Sequence, residues 1–316
     1  MKRVIATSLI LIMFGALALS PGAASAGAAE EGMVERSYYL ANSFNVLAYN
    51  IYMRPEYVLL NDQSDRGAVL PSKLRGFDVI VFSEAFDNSV RNQILADLQG
   101  EYPYRTSVLG ADRGIEQDGG VIIVSRWPIT GQAQRLYGNI CTGDFSDCLA
   151  DKGVLYARIE KHGRSYHVFA SHTQAGDTIE RRQSRNQQFV IIKEFIDSRG
   201  LPDTEPVFIA GDLNVDKYDS GEFNNMLRSL DAWYPRPFGH PYTVDSTINR
   251  RAGSLSYLDY VLVSNRHLQP ISAIIETLLP RSPTPFGGDY ELSDHFPVFG
   301  QFMFPSPAAT MAAVGD

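Results

Sequence analysis

Apolar residues in this chain gather into short runs, rich in β-branched and aromatic side chains, that break off at polar residues. The runs at 44–49, 79–83, 121–125, 155–159, 166–171, 207–210, 258–264 and 296–304 predict strands. Their continuity predicts burial on both faces, since a half-exposed strand would alternate apolar with polar. Helical periodicity shows in two places. Residues 180–198 set Phe189, Ile192 and Ile196 on one face with Glu and Arg on the other, and residues 89–98 repeat Val90, Ile94, Leu95 and Leu98 before a stop at Gly100. Strands outnumber helices, and several follow one another without a helix between them. The pattern therefore predicts an α/β (α+β) chain of two packed mixed sheets with helices outside, not a doubly wound parallel sheet.

Ahead of the first strand, Lys2 and Arg3 precede an apolar stretch at 4–19 and a small-residue site at Ala24, Ser25 and Ala26. This predicts a signal peptide over 1–26 and hence export. An uncleaved anchor is the alternative, but the stretch is short and is interrupted by Thr7, Ser8 and Gly15. One domain over 27–304 and a flexible Pro/Ala-rich tail over 305–316 complete the division. Loss of Lys2 and Arg3 with the leader moves the formal charge from −8 to −10. No basic stripe marks a nucleic-acid surface, although a bound metal ion can supply the positive charge that phosphate chemistry needs. In an exported chain, Cys141 and Cys148 read as a disulfide closing a small loop. Two free thiols are the alternative, and a zinc site would lack a neighbouring His.

Candidate chemistry sits where the strands end. Asn50 follows the first run and Glu84 ends the second. His172 closes the run at 166–171, Asp212 and Asn214 follow 207–210, Asp259 opens the next run, and Asp294 and His295 precede the last. One strand-end Asp or Asn is ordinarily a turn residue. Recurrence of carboxylates, amides and two imidazoles at such ends instead describes hard oxygen ligands with acid and base groups around one pocket. His162, His167, His240 and His267 have no acidic partner in a comparable setting and read as surface or core. Arg181, Arg182 and Arg185 read as a solvated helix face beside Glu180.

Gly-Asp-Leu-Asn at 211–214, Tyr-Leu-Asp-Tyr at 257–260 and Ser-Asp-His-Phe-Pro-Val at 293–298, together with Glu84, resemble the endonuclease/exonuclease/phosphatase superfamily. Leu-Ala-Tyr-Asn-Ile-Tyr-Met at 47–53, Ser-Glu-Ala-Phe-Asp-Asn at 83–88, the segment 118–129, Asp-Lys-Gly at 151–153 and Ser-His-Thr-Gln-Ala at 171–175 look like its secreted bacterial neutral sphingomyelinases. The resemblance implies a deoxyribonuclease-like four-layer sandwich. It also implies hydrolysis of sphingomyelin, or another choline phospholipid, to phosphocholine with a central Mg²⁺; Mn²⁺ or Co²⁺ could substitute. Glu84 would hold the metal, with Asn50 nearby as a further ligand or phosphate contact, and Asp294 would support it from behind. His295 would be the general base, oriented by Asp259. His172 and Asn214 would donate to phosphoryl oxygens, and Asp212 would place the water or leaving oxygen. A monomer in transient contact with a membrane, binding no nucleic acid, is the expected state.

Two departures qualify the resemblance. A second metal at the domain edge would use the Phe86 carbonyl, Asn88, Gln117 and Asp118, but Gln117 replaces a carboxylate of the family, and a plain turn is the alternative reading of the cluster. Membrane-lysing relatives carry an aromatic-tipped hairpin before the Ser-Asp-His motif, whereas this chain offers a short, weakly apolar loop at 280–291 with only Phe286 to dip into lipid. Tyr52, Phe86 and Tyr290 are candidates for choline contact by position. A secreted nuclease is the main rival reading, followed by a phosphatase of inositol phosphates and a non-catalytic binding protein.

Overall fold

The computed structural model describes residues 41–55, 61–113, 116–143 and 148–306. The signal segment 1–26 and residues 307–316 of the tail lie outside them. In chain order the strands are β1 (Ser43–Met53), β2 (Val79–Ala85), β3 (Tyr104–Arg105), β4 (Ile122–Ser125), β5 (Ile129–Leu136), β6 (Gly153–Lys161), β7 (Arg164–Ser171) and β8 (Val207–Asp212). There follow β9 (Ala232–Trp233), β10 (Pro237–Gly239), β11 (Val244–Asp245), β12 (Leu255–Ser256), β13 (Asp259–Ser264), β14 (Ser272–Thr277), β15 (Arg281–Phe286), β16 (Asp289–Glu291) and β17 (Val298–Met303). Helices are α1 (Gln63–Val69), α2 (Asn88–Leu98), α3 (Ile179–Asp197) and α4 (Ser220–Leu230).

One sheet runs β10-β14-β17-β1-β2-β4-β3 and the other β5-β6-β7-β8-β13-β9. Their central strands are apolar on both sides because each sheet is covered twice. Phe44, Val46 and Ala48 of β1 join the core between the sheets, where Phe44 stacks on Tyr166 with centroids 4.0 Å apart. Leu47 and Tyr49, of opposite parity, pack with Val90, Ile94 and Leu98 of α2. On the far side, Phe189, Ile192 and Ile196 of α3 close the second sheet, and Phe195 meets Phe169 edge-on at 5.8 Å. Helix, sheet, sheet and helix give four layers, and each fully buried large apolar side chain contributes roughly 1.5–3 kcal/mol.

Strand direction decides where the polar ends fall. β1 is parallel to β2, and β7 is parallel to β8. β17 runs antiparallel to β1 with Val298 opposite Ala48, and β13 runs antiparallel to β8 with Asp259 opposite Asp212. The ends of β1, β2, β7 and β8 and the beginnings of β13 and β17 thus meet at one end of the sandwich.

Cys141 and Cys148 are bonded to each other. The segment expected as a loop at 280–291 contains a hairpin instead. β15 and β16 turn at Gly287 and Gly288, both at positive φ, with Phe286 opposite Asp289. Phe286 is partly buried against the cluster that holds Leu292, so it does not stand out as a membrane probe.

Candidate active site

β1, β2 and β8 each leave the sheet through a residue in the left-handed region: Tyr52 (φ 52°), Glu84 (φ 53°) and Asn214 (φ 52°). Non-glycine residues held there cost about 1–3 kcal/mol each and cluster at working sites. The bends gather the side chains. Asn50 Nδ2 donates to Glu84 Oε1 at 3.1 Å and to Asp212 Oδ2 at 2.9 Å, joining the two sheets. Arg54 Nε lies 3.4 Å from Glu84 Oε2. His295 Nδ1 donates to Asp259 Oδ2 at 2.7 Å, which leaves Nε2 facing Asp212 Oδ2 at 3.8 Å. His172 Nε2 stands 3.6 Å from the same Asp212 oxygen. Asn214 donates its backbone N–H to Asp212 Oδ1 at 3.0 Å and its Nδ2 to Thr173 O at 3.2 Å. Asp294 Oδ1 lies 3.2 Å from Ser293 Oγ.

The electrostatics are those of crowded carboxylates without enough countercharge. Burial first, then Asp259, pushes Asp212 up to about 7, while burial and Glu84 raise Asp294 to about 6. Burial opposes charge on His295, but Asp259, Asp212 and Asp294 outweigh it and raise the imidazole well above its ordinary value. His172 goes the other way, kept neutral by burial, Lys152 and His295. Asp259 Oδ1 and His172 Nδ1 are buried with no hydrogen-bond partner among the described residues.

These residues fit a hard divalent cation. Ligand atoms of Glu84, His172 and Asp212 lie within 4.8 Å of one another, as do those of Asp212, Asp259 and His295. The set is dominated by carboxylates and contains no thiolate, which suits Mg²⁺ or Mn²⁺. Asn50 turns its amide nitrogen to the carboxylates, and its Oδ1 accepts from Tyr52 N at 3.1 Å.

Phe86, Asn88, Gln117 and Asp118 lie apart from this centre. Asp118 Oδ2 pairs with Arg91 at 2.8 Å, Asn88 Oδ1 accepts from the same guanidinium, and Asn88 Nδ2 donates to Asp112 at 2.8 Å. The choline candidates also separate. Tyr52 is flanked by the guanidinium groups of Arg54 and Arg66 at 5.8 and 5.7 Å, Phe86 lies against Gly120, and Tyr290 stays exposed under Arg281.

Several residues that were not among the candidates entered the site or left the surface. Lys152 is buried and donates to Thr173 O at 2.8 Å, next to His172. Ser293 Oγ donates to Asn50 O at 2.6 Å and accepts from His295 N, locking the two segments together. The string Asp-Lys-Gly at 151–153 was the one available pointer to Lys152. Arg185, expected on a solvated face, is fully buried and pairs with Glu222 at 2.7 Å, because α4 packs against α3 there. His167 and His240 do have acidic partners, Glu205 at 2.6 Å and Asp245 at 2.9 Å. Neither belongs to the groups of metal-ligand type gathered at the centre.

Residues 43–295 match the model of the endonuclease/exonuclease/phosphatase family. Sphingomyelinase C of Bacillus cereus is 31% identical over 86% of this chain and 90% of its own length. Sphingomyelinase C of Leptospira interrogans is 34% identical over 95% of this chain, and the match spans 58% of that longer relative. A variant of the beta toxin of Staphylococcus aureus, solved with bound magnesium ions, superposes with a TM-score of 0.74 at 30% identity, covering 82% of this chain and 99% of the toxin.

Proposed function

The chain belongs to the endonuclease/exonuclease/phosphatase family as a phosphodiesterase of the sphingomyelinase C type, and we propose that it is exported and hydrolyses sphingomyelin to ceramide and phosphocholine. The observation that carries the reading is the meeting of the His295–Asp259 pair with Glu84, Asn50 and Asp212 at one end of the sandwich.

Glu84 would hold a divalent cation, with Asp212 close by and Asp294 behind. When bound, Mg²⁺ would neutralise a non-bridging phosphoryl oxygen and stabilise the departing ceramide oxygen. It would also offset the carboxylates that raise His295, bringing the imidazole toward a pKa suited to a base near neutrality. Asp259 fixes the Nδ1–H tautomer, so Nε2 is the atom that takes the proton of the attacking water. Neutral His172 keeps an N–H to donate to a phosphoryl oxygen, and Asn214 offers its amide. Lys152 adds positive charge behind His172. Asp212, facing Nε2 of both imidazoles, is placed to orient the water or the leaving oxygen.

The 1–26 leader supports export, and a choline phospholipid substrate requires transient contact with a membrane by what we take to be a monomer. Among the described residues no helix is long and apolar enough to cross a membrane. The reading is tested by offering the purified protein with Mg²⁺ sphingomyelin micelles, phosphatidylcholine micelles and single- and double-stranded DNA. Phosphocholine released from sphingomyelin, with DNA left intact, is the expected result. Cleavage of DNA with both lipids untouched would replace the lipid reading with that of a secreted nuclease.

A further inference from the structure

Arg91 occupies a place that the sequence had reserved for a metal. Its side chain leaves α2 one turn after the N-cap Asp87 and is buried. Nη1 donates to Ala85 O at 2.7 Å and to Asp118 Oδ2 at 2.8 Å, and Nη2 donates to Asn88 Oδ1. A backbone carbonyl, an amide oxygen and a carboxylate converging on one point is a hard-cation ligand set, and here a guanidinium fills it. The surroundings complete the enclosure. Asp118 Oδ1 accepts from Gly120 N at 2.9 Å, and Asp112 takes Asp118 N through one oxygen and Asn88 Nδ2 through the other.

Charge count agrees with geometry. Gln117 brings no charge where the family pattern has a carboxylate, so the cluster keeps Asp118 inside and Asp112 at its rim against one guanidinium. A divalent ion added beside Arg91 would meet a fixed positive charge, with Asp118 already paired to it and both Asp112 oxygens accepting from N–H donors. An arginine is also always charged and carries its donors in a rigid fork, so the contact does not depend on the metal concentration outside.

We propose that Arg91 is a tethered substitute for the edge cation, making this a protein that binds no divalent ion at Asn88 and Asp118 and whose Glu84 is positioned by its own guanidinium. The link to Glu84 is direct. Ala85 is the next residue along β2, its N–H donates to Gly120 O at 2.9 Å, and its carbonyl is held by Arg91. Both backbone polar groups of Ala85, which follows the strained Glu84, are therefore fastened by the Arg91 cluster. Arg91 acts through Glu84 and is a positioning residue.

Counting Mn²⁺ ions per chain by equilibrium dialysis tests this independently of any lipid hydrolysis, so a failure here is separable from a failure of the proposed activity. Gln117→Glu, which restores the carboxylate but keeps Arg91, is expected to bind the same number of ions as the parent. Arg91→Ser combined with Gln117→Glu is expected to bind one more, and Asp118→Asn in that background should remove it. The inference is overturned if Gln117→Glu alone gains an ion, if Asp118→Asn in the parent loses one, or if the folded Arg91→Ser, Gln117→Glu protein gains none. Should that double variant fail to fold, the Gln117→Glu count still decides.

Discussion

An imidazole with one nitrogen committed to a buried carboxylate can exchange a proton only through the other, and His295 is held in that way by Asp259. Replacing Asp259 with Asn keeps the shape but frees the tautomer. A fall in kcat of about 10²–10⁴-fold is expected, with Mn²⁺ affinity nearly unchanged in the same preparation. Asp294 acts through the metal's surroundings, so Asp294→Asn should instead raise the Mg²⁺ concentration for half-maximal rate by about 10–100-fold. A titration of rate against Mg²⁺ separates the two. Asn50, Glu84, His172, Asp212, Asn214, Asp259 and His295 were legible as candidates because each interrupts or bounds an apolar run with a chemically distinctive side chain. Lys152, Thr173 and Ser293 lay inside family-like strings without standing out as candidates, and Arg91 lay outside them. Their contribution runs largely through backbone carbonyls, which leave no pattern in residue type.

Elements whose burial is apolar could be read along the chain, and those held by polar contacts could not. α1 buries Gln63, Arg66 and Gly67, none of which marks a hydrophobic face. Its anchor is the fully buried Arg66, which donates to the carbonyls of Ile51, Tyr52, Asn61 and Leu292. Those bonds tie the end of β1 to the segment leading into Ser293. Arg66→Ala leaves several carbonyls unsatisfied and should cost roughly 3 kcal/mol or more. Thermal unfolding would then fall by roughly 6–12 °C. β5 alternates partly buried and exposed residues at a sheet edge, and its Gly131 and Gln residues gave no strand signal. α4 is the exception: Phe223, Met226, Leu227 and Leu230 fall at i, i+3, i+4 and i+7 and pack on the core, a helical stripe present in the sequence although no helix was expected there. The hairpin of β15 and β16 was hidden by Pro283 and Pro285 on its first strand, a position tolerated only where the strand lies at an edge.

At the scale of the whole molecule, the two-sheet architecture followed from the count of strands over helices. The meeting of their ends did not, because it depends on which strands run parallel, and that is fixed by connections the apolar pattern does not encode. The same architecture separates catalysis from one source of acid sensitivity. His167 pairs with Val207 in register, at the opposite end of β8 from Asp212. Its Nδ1 accepts from Tyr156 OH at 2.8 Å and its Nε2–H donates to Glu205 at 2.6 Å, contacts that a neutral ring satisfies. Burial holds its pKa below 6.5 although Glu205, partly open to solvent, pulls the other way. The unfolded chain therefore binds the proton more readily. His167 supports the fold above about pH 6.5, and that support is lost as pH falls through the unfolded value toward the folded one. A His167→Gln variant should lose less Tm than the parent between about pH 7.5 and about pH 5.5, with its kcat unchanged at neutral pH.

The central claim is that one end of this sandwich hydrolyses a phosphodiester with a metal at Glu84 and a base at His295. The direct measurement is the rate of phosphocholine release from sphingomyelin micelles by the parent and by His295→Ala, each with Mg²⁺ and with excess chelator. The account predicts rapid release by the parent with Mg²⁺ only, and a loss of at least about 10²-fold in the variant while its Mn²⁺ binding persists. Release that survives the chelator, or a His295→Ala protein as fast as the parent, would contradict it.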